Sequence, residues 1–356
     1  MLSVNTTSPF SHTHASFSDY VRDALGKGHI HAGIIYEEFM RKGEFPPETH
    51  PAFHNAKALR LAIIALIDTA LPELIGDKSD GATGKFLLRT DDNLEIESVL
   101  IPMQAGGTLC ISSQVGCRMG CVFCETGRMG LLRSLTTPEI VGQIFVAKHH
   151  LGFNVRNVVF MGMGEPFDNY EAVMQAARVL IDPKGLGFGK NHVTISTSGC
   201  ADGIERLMNE PGDTPNLAVS INAPLDAMRN KLMPVNRKFD MQRLHGAMDA
   251  YCRRTGRQIL VAYVLMKEVN DSLEHADLLA EYLTGLDVKI NLIPYNPQSR
   301  DRFQPPETAV LESFSHQLRD HGYQMLLRVT KGSSIMAACG QLGNLELRKK
   351  LVRSKK

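Results

Sequence analysis

The chain has 356 residues, a formal net charge of +1 and 22% charged residues, and 43% of its residues are hydrophobic. This composition is typical of a globular protein with a sizeable core, so it excludes an intrinsically disordered chain. The N-terminal sequence MLSVNTTSPFSHTHASF has neither a basic start nor an apolar core, so we expect no signal peptide. The most apolar stretch, LRLAIIALIDTALPELI, carries Asp68 and Glu73 and is too short to span a bilayer. We expect a cytoplasmic protein without membrane association.

Residues 1–95 predict a small helical accessory domain. Helical patterns lie near 17–42 and 53–75, and Gly- and Asp-rich turns (GDKSDGATG) follow them. The strand-like segments KFLLRT and LEIESVLIP come next. They predict a short hairpin that links this domain to the rest of the chain.

Residues 96–345 alternate between apolar, β-rich segments and amphipathic segments. Such repetition predicts an α/β fold, in which a parallel sheet with helices outside is closed or partly closed into a barrel. Active-site residues would then gather at the carboxyl ends of the strands. Thr136, Thr137 and Pro138 form a helix start signal. The predicted strands are 108–113, 157–162, 192–197, 217–222, 259–265, 288–294 and 324–330, and the predicted helices lie near 138–150, 169–181, 202–209, 240–254, 272–284 and 307–321.

The chain ends in a basic C-terminal tail, residues 346–356 (ELRKKLVRSKK), with six Lys or Arg and one Glu. A tail of this kind can bind phosphates by displacing counterions. A solvated C-terminal helix is an equally good interpretation.

The most specific feature is a group of cysteines. Four of the seven cysteines fall within residues 110–124, which favours cofactor or redox chemistry over a disulfide scaffold. Cys117, Cys121 and Cys124 have the spacing C-x3-C-x2-C, which can hold three irons of one [4Fe-4S] cluster and leave the fourth iron open for S-adenosylmethionine (SAM). A ferredoxin-type cluster or a structural zinc would need a fourth ligand, and the next Cys or His downstream is His149. The spacing therefore favours a radical SAM enzyme, with zinc or unrelated thiols as the alternative.

Longer sequence motifs indicate which family of radical SAM enzymes the chain resembles. Six motifs within residues 95–345 are informative: TLCISSQVGCRMGCVFCETG, FMGMGEP, VTISTSG, VNDSLEHA, INLIPYNP and AACGQL. Together they resemble the radical SAM RNA methyltransferase family of RlmN, which methylates adenosine C2, and its C8-methylating relative Cfr. The resemblance implies a partial (βα)6 TIM-like barrel. The N-terminal third matches loosely, and the aromatic-Arg-Ala-x-Gln motif usual in RlmN is absent from its sequence.

The resemblance also implies a two-stage mechanism that uses two cysteines. Cys339, in AACGQL, would take a methyl group from one SAM by thiolate displacement. A second SAM at the cluster would yield a 5′-deoxyadenosyl radical, which removes hydrogen from the methylated cysteine, and the resulting methylene radical would add to the base. Cys110 would then attack Cys339 and release the product, leaving a transient disulfide. Without this resemblance, each cysteine would be interpreted as an ordinary buried residue.

A proton acceptor is implied at Glu97, which would take the displaced hydrogen of the base. By strand alternation Glu97 shares a face with Glu95, Val99 and Ile101, and the pattern alone favours an exposed strand carboxylate. The resemblance further implies SAM contacts at strand ends, with Glu165 receiving the amino group. These residues are Gly164, Glu165, Ser196, Ser220, Ile221, Asn222 and Asn296.

Two departures from the family pattern affect these expectations. The family usually has Ser-Leu-His where this chain has Ser220, Ile221 and Asn222, so a titratable ring is replaced by an amide. It usually has Gly-x-Asp-Ile where this chain has Gly-Ser-Ser-Ile at 332–335, so a carboxylate is missing.

Three functions follow from these patterns. The first is methylation of adenosine C2 in ribosomal RNA, transfer RNA or both, by a monomer that receives electrons from a protein such as flavodoxin or ferredoxin. The second is Cfr-like C8 methylation, or radical SAM methylation of another RNA. The third is a non-catalytic RNA-binding protein with a relict cluster, which the retention of Glu97, Cys110 and Cys339 beside the cluster cysteines disfavours.

Overall fold

One large sheet organises the chain, which a computed structural model describes over residues 6–298, 302–327 and 332–343. The strands are β1 (Glu73–Asp80), β2 (Thr83–Arg89), β3 (Glu95–Met103), β4 (Gly106–Cys110), β5 (Gln114–Val115), β6 (Arg133–Ser134), β7 (Val155–Phe160), β8 (Val193–Thr197), β9 (Asn216–Ser220), β10 (Ile259–Leu265), β11 (Val288–Pro294) and β12 (Gln324–Leu327).

The order in the large sheet is β1-β2-β3-β4-β7-β8-β9-β10-β11-β12, and β5 pairs separately with β6. Strands β1 to β4 pair antiparallel. From β4 onward, each strand of the large sheet pairs in parallel with the next. Parallel neighbours that follow one another in the chain need crossover connections, and helices supply them here. The predicted α/β architecture, with a mostly parallel sheet and outer helices, is confirmed.

The helices alternate with the parallel strands as predicted. A capping box between Thr136 and Glu139 starts the helix Thr137–Phe145, with Pro138 in its first turn. A π-helical turn, Val146–His150, continues that helix. The helices are α1 (His14–Leu25), α2 (His29–Lys42), α3 (Lys57–Ile64), α4 (Glu125–Met129), α5 (Thr137–Phe145), α6 (Tyr170–Ile181), α7 (Ala201–Leu207), α8 (Asp226–Leu232), α9 (Met241–Thr255), α10 (Leu273–Tyr282) and α11 (Thr308–Asp320).

The predictions for residues 1–95 were partly wrong. The helix predicted over 53–75 ends at Ile64, because the following residues bond to Thr7 instead, with the Thr7 amide donating to the Leu66 carbonyl and the Asp68 amide to the Thr7 carbonyl. Glu73–Asp80 is β1, because β2 offers it a pairing edge. The single helical region predicted over 17–42 is two helices, interrupted where Gly26 (φ 69°) and Gly28 (φ 91°) adopt the left-handed region. Helix α8 had no counterpart among the predictions.

The N-terminal region packs against α5, where Phe39 of α2 stacks on Phe145 with 5.0 Å between ring centroids. Phe10 meets Phe145 of α5 edge-to-face with 5.0 Å between ring centroids, and the Gln175 side chain donates to the Ser11 carbonyl at 2.8 Å. One continuous apolar core extends from Phe10 to Leu342. The hairpin predicted as a linker is part of the large sheet, since β3 pairs with β4.

Within the described residues, no helix is both long enough and apolar enough to cross a bilayer. The basic C-terminal tail lies outside the described residues, as do the last residues of the strand predicted at 324–330.

Candidate active site

The three motif cysteines meet at one cavity at the carboxyl end of the sheet. They lie on the loop between β5 and α4, and all three border the same cavity. Glycine is needed at two places for the fold of this loop, at Gly116 within it and at Gly127 in the helix α4 that follows. A side chain on Gly116 (φ 79°) would overlap the carbonyl of Gly130, and a Cβ on Gly127 would lie 2.8 Å from the Cys121 carbonyl oxygen. The loop is therefore folded tightly around its cysteines.

The chemistry of this loop fits an iron–sulfur cluster. Burial raises the pKa of Cys121 to about 12 and also raises the pKa of Cys117 and Cys124. Binding iron as thiolates would therefore release protons. Over residues 6–298, 302–327 and 332–343, no three His, Cys, Asp or Glu side chains are grouped to bind a single metal ion. A four-iron cluster needs no such group, because each thiolate binds a different iron.

Glu165 is a buried carboxylate that lines the same cavity, in the segment after β7. One carboxylate oxygen accepts from the amide and the hydroxyl of Ser198, both at 2.7 Å, and the other accepts from the Phe167 amide at 3.2 Å. Burial raises the pKa of Glu165, although the Ser198 hydrogen bonds oppose this shift. A carboxylate held in this way can receive an ammonium group.

The preceding glycines allow the chain to approach the cysteine loop closely. A Cβ on Gly162 would lie 2.6 Å from the Ile111 carbonyl oxygen. Gly164 has a φ of 106°, and a Cβ there would lie 2.6 Å from the Gln114 side chain. Gln114 in turn accepts from the Glu165 amide at 2.9 Å. Both glycines are therefore required by packing as well as by the shape of the cavity.

Polar residues from neighbouring strand ends complete the cavity. Ser196 of β8, Ser220 of β9 and the adjacent Asn222 all border it. Asn222 has a φ of 58°, which Asn tolerates better than most residues, and its amide accepts from the Val264 amide at 2.8 Å. Two of the expected SAM contacts, Ile221 and Asn296, do not line this cavity. Ile221 is fully buried, and Asn296 points its amide at the Cys339 carbonyl, 3.0 Å away.

Cys339 lies between two cavities. It borders the cavity of the motif cysteines, and it also borders a smaller, mainly apolar cavity lined by Cys110. The loop around Cys339 is fixed to its neighbours, because the Glu125 backbone amide donates to the Gly340 carbonyl at 2.8 Å and the Gln341 side-chain amide donates to the Pro297 carbonyl at 2.6 Å.

Glu97 is buried, so the exposed position favoured by its strand pattern was wrong. The alternation failed because β3 lies between β2 and β4, and residues 96–99 are buried on both faces. The carboxylate lies 2.9 Å from the Lys85 ammonium and accepts from the Gly343 amide at 3.2 Å. Val99 pairs with Cys110 across β3 and β4, so Glu97, two residues away, lies on the same sheet face as Cys110.

Several residues of the site had not been predicted. Ser198, which holds Glu165, follows Ser196 in VTISTSG and could have been found as another polar residue at a strand end. Lys85 and Gln298 gave no sequence signal, because their roles depend on contacts with distant parts of the chain. Arg229 lies on α8, where no element had been predicted.

Comparison with known proteins agrees with this geometry. Residues 111–279 match the Radical SAM superfamily. The chain is 59% identical to the probable dual-specificity RNA methyltransferase RlmN 1 of Protochlamydia amoebophila over 340 residues, covering 96% of this chain and 95% of that protein. It is 45% identical to the dual-specificity RNA methyltransferase RlmN of Halorhodospira halophila over 291 residues, covering 81% of this chain and 80% of the relative.

A solved structure is also similar. The crystal structure of a radical SAM methyltransferase from Sphaerobacter thermophilus superposes with a TM-score of 0.85 and 36% identity, covering 94% of this chain and 98% of the other. The similarity therefore includes the N-terminal helices as well as the barrel. With this agreement of sequence, fold and cysteine loop, the chain belongs to the RlmN family of radical SAM RNA methyltransferases.

Proposed function

We propose that this enzyme methylates C2 of adenosine in ribosomal RNA, transfer RNA or both, with Cys339 as the carrier of the methyl group. The observation that carries the proposal is the position of Cys339 between the cavity of the three motif cysteines and the cavity of Cys110. A cysteine at this border can face a methyl donor on one side and a resolving thiol on the other. When bound, the [4Fe-4S] cluster and SAM supply one-electron chemistry and the methyl group.

The residues around the first cavity suit these two groups. Cys117, Cys121 and Cys124 would hold the cluster, and Glu165 lines the same cavity. Glu165 would accept the SAM amino group, next to the close backbone approach at Gly164. Ser196, Ser220 and Asn222 would contribute polar contacts at the strand ends. Asn296 would act indirectly, by holding the Cys339 carbonyl, and Ile221 by filling the core beneath.

Glu97 would take the proton that leaves the base. Its carboxylate is buried, and its charge is balanced by the Lys85 ammonium at 2.9 Å. It shares a sheet face with Cys110 and accepts from the Gly343 amide, which follows the Cys339 loop. Proton acceptor and resolving cysteine are therefore on one side of the sheet, near the methyl carrier.

We further propose that residues 1–95, with their hairpin, form an accessory region for RNA recognition and that residues 96–345 form the catalytic barrel. The basic tail 346–356 would add phosphate contacts. The enzyme would act as a monomer in the cytoplasm and receive electrons from a small protein such as flavodoxin or ferredoxin.

Nucleoside mass spectrometry tests the proposed reaction. Ribosomal and transfer RNA from a strain lacking the gene should lose 2-methyladenosine at the target sites, and a plasmid copy of the gene should restore it. A plasmid copy with Cys339→Ala should fail to restore it. Restoration of 8-methyladenosine instead would assign the enzyme to the Cfr-like reaction, and unchanged nucleosides in the deletion strain would contradict the proposal.

A further inference from the structure

Arg229 is a buried cation beside the candidate active site. Its side chain is fully buried on α8 and makes four hydrogen bonds. It donates to the carbonyls of Ser198 at 2.7 Å, Ser220 at 3.0 Å and Ile221 at 3.1 Å. Its fourth hydrogen bond goes to the Asn236 side chain at 2.7 Å. Three of the four acceptors are backbone carbonyls at the ends of β8 and β9, so Arg229 ties these strand ends together.

The surrounding chain leaves space for this side chain. Gly199 has a φ of 108°, and a Cβ there would lie 2.7 Å from an Arg229 guanidinium nitrogen. A larger residue at this position would push the guanidinium away from the strand ends. The glycine that follows Ser198 is thus part of the arrangement that holds Arg229.

Helix α8 also contacts the cysteine loop. The amide of Val122, between two of the motif cysteines, donates to the Leu232 carbonyl at 3.0 Å. The C-terminal end of the helix therefore holds the loop of the motif cysteines. Arg229, in the middle of the helix, holds the strand ends at Ser198 and Ser220. Both walls of the cavity depend on the same seven-residue helix.

The charge of Arg229 has no carboxylate partner within 4 Å over the described residues. Asp226 is reached only through Asn236, which donates to it at 2.6 Å. Burial lowers the pKa of Arg229, and Tyr282, Cys121 and Asp226 oppose this shift electrostatically. A buried guanidinium is costly without a balancing negative charge. Thiolates on a bound cluster would provide negative charge on the side of Cys121.

We propose that Arg229 is a positioning residue that fixes the ends of β8 and β9 beside the cysteine loop and balances the negative charge of the cluster site. This proposal rests on the proposed function, because it assumes a cluster on Cys117, Cys121 and Cys124. Reduction adds negative charge to the cluster, and a nearby cation favours the reduced state. Arg229 therefore contributes in two separable ways, through its charge and through its hydrogen bonds to the strand ends.

Two substitutions separate these contributions in anaerobically reconstituted full-length protein. Arg229→Met removes the charge and the hydrogen bonds, and we expect a more negative midpoint potential of the cluster together with weaker SAM binding. Arg229→Lys keeps the charge but cannot reach all four acceptors, so we expect a potential near that of the wild type with weakened SAM binding. The dissociation constant for SAM should rise about tenfold in both, since charge-assisted hydrogen bonds are lost. Potentials are measured by redox titration followed by electron paramagnetic resonance.

Arg243→Met is the matched control, because Arg243 on α9 is exposed and pairs with Glu205 at the surface. It should leave both quantities unchanged. Where Arg229→Met fails to fold, Gly199→Ala tests the same contact by displacing the guanidinium, and it should also weaken SAM binding. A wild-type potential and SAM affinity in folded Arg229→Met would overturn the proposal while leaving the proposed function intact. Wild-type protein that takes up no iron would overturn both.

Discussion

Lys85 on β2 and Glu97 on β3 form a buried ion pair, with 2.9 Å between Nζ and Oε2 and side-chain exposures of 8% and 10%. Each partner also contacts the segment that carries Cys339. The Lys85 ammonium donates to the Met336 carbonyl at 3.0 Å, and Glu97 accepts from the Gly343 amide at 3.2 Å. The ion pair therefore attaches the chain on both sides of Cys339 to the hairpin strands.

This pair should matter for stability. Lys85→Met leaves the Glu97 carboxylate buried without its cation, so we expect the free energy of unfolding to fall by about 3–5 kcal/mol. The control is Arg89→Met on the same strand, whose pair with Glu73 is exposed and should contribute about 0–1 kcal/mol. Urea unfolding of both variants measures the difference. Equal losses in the two variants would show that the buried pair has no special role.

Glu97→Gln tests the proposed proton acceptor. The amide has a similar shape but no useful basicity, so Cys339 should still be methylated while turnover stalls with the RNA linked to the protein. A single-turnover assay with an adenosine-containing RNA fragment, read by nucleoside analysis, should show little 2-methyladenosine. Glu95→Gln, two residues away on the same strand, is the control and should turn over normally. Near-normal turnover by Glu97→Gln would remove Glu97 from the mechanism.

Replacing Cys117, Cys121 and Cys124 together by Ala should abolish iron uptake and SAM cleavage after anaerobic reconstitution. The expectation rests on their shared cavity and on the absence of any further cysteine in their loop. Iron analysis and the yield of 5′-deoxyadenosine give the two readouts. Cys252→Ala, a half-buried cysteine on α9, should retain both. Full iron retention by the triple variant would contradict the cluster assignment.

The chemistry that is local in sequence could be predicted, and the contacts between distant segments could not. The spacing of the motif cysteines depends on a few neighbouring residues, so the pattern alone favoured a cluster, and the family resemblance of a short motif indicated Glu165, which follows β7. The burial of Glu97 depends on Lys85 and on the segment near Cys339, which is remote in the chain. Arg229 was missed for the same reason, because its acceptors lie on two different strands.

Gln298 should hold the Cys339 loop in place. Its amide group donates to the carbonyls of Phe123 and Gly340, and its oxygen accepts from Arg128. Gln298→Leu removes these contacts, so amide hydrogen exchange over residues 336–343 should become roughly fivefold faster, equivalent to about 1 kcal/mol. Gln317→Leu, which removes an exposed contact with Asp277, is the control. Unchanged exchange in the Gln298 variant would show that other contacts suffice.

Cys110→Ala should trap the enzyme on its substrate. In the proposed sequence the Cys110 thiolate attacks the Cys339 sulfur, forming a sulfur–sulfur bond while the carbon–sulfur bond to the base breaks and the carbon takes a proton. The two cysteines line the same small cavity, so no other element of the described chain has to supply the attacking thiol. Alanine cannot attack, and we expect a covalent RNA–protein species to accumulate in cells.

Peptide mass spectrometry after nuclease and protease digestion should find an adenosine adduct on the peptide that contains Cys339. The wild type should instead show a methyl group on Cys339, and Cys252→Ala should resemble the wild type, because Cys252 lies on α9 and does not border the small cavity within the described chain. Free product released by Cys110→Ala at the wild-type rate would exclude Cys110 as the resolving thiol. An unmethylated Cys339 in wild-type protein that retains its cluster would count against the two-stage mechanism itself.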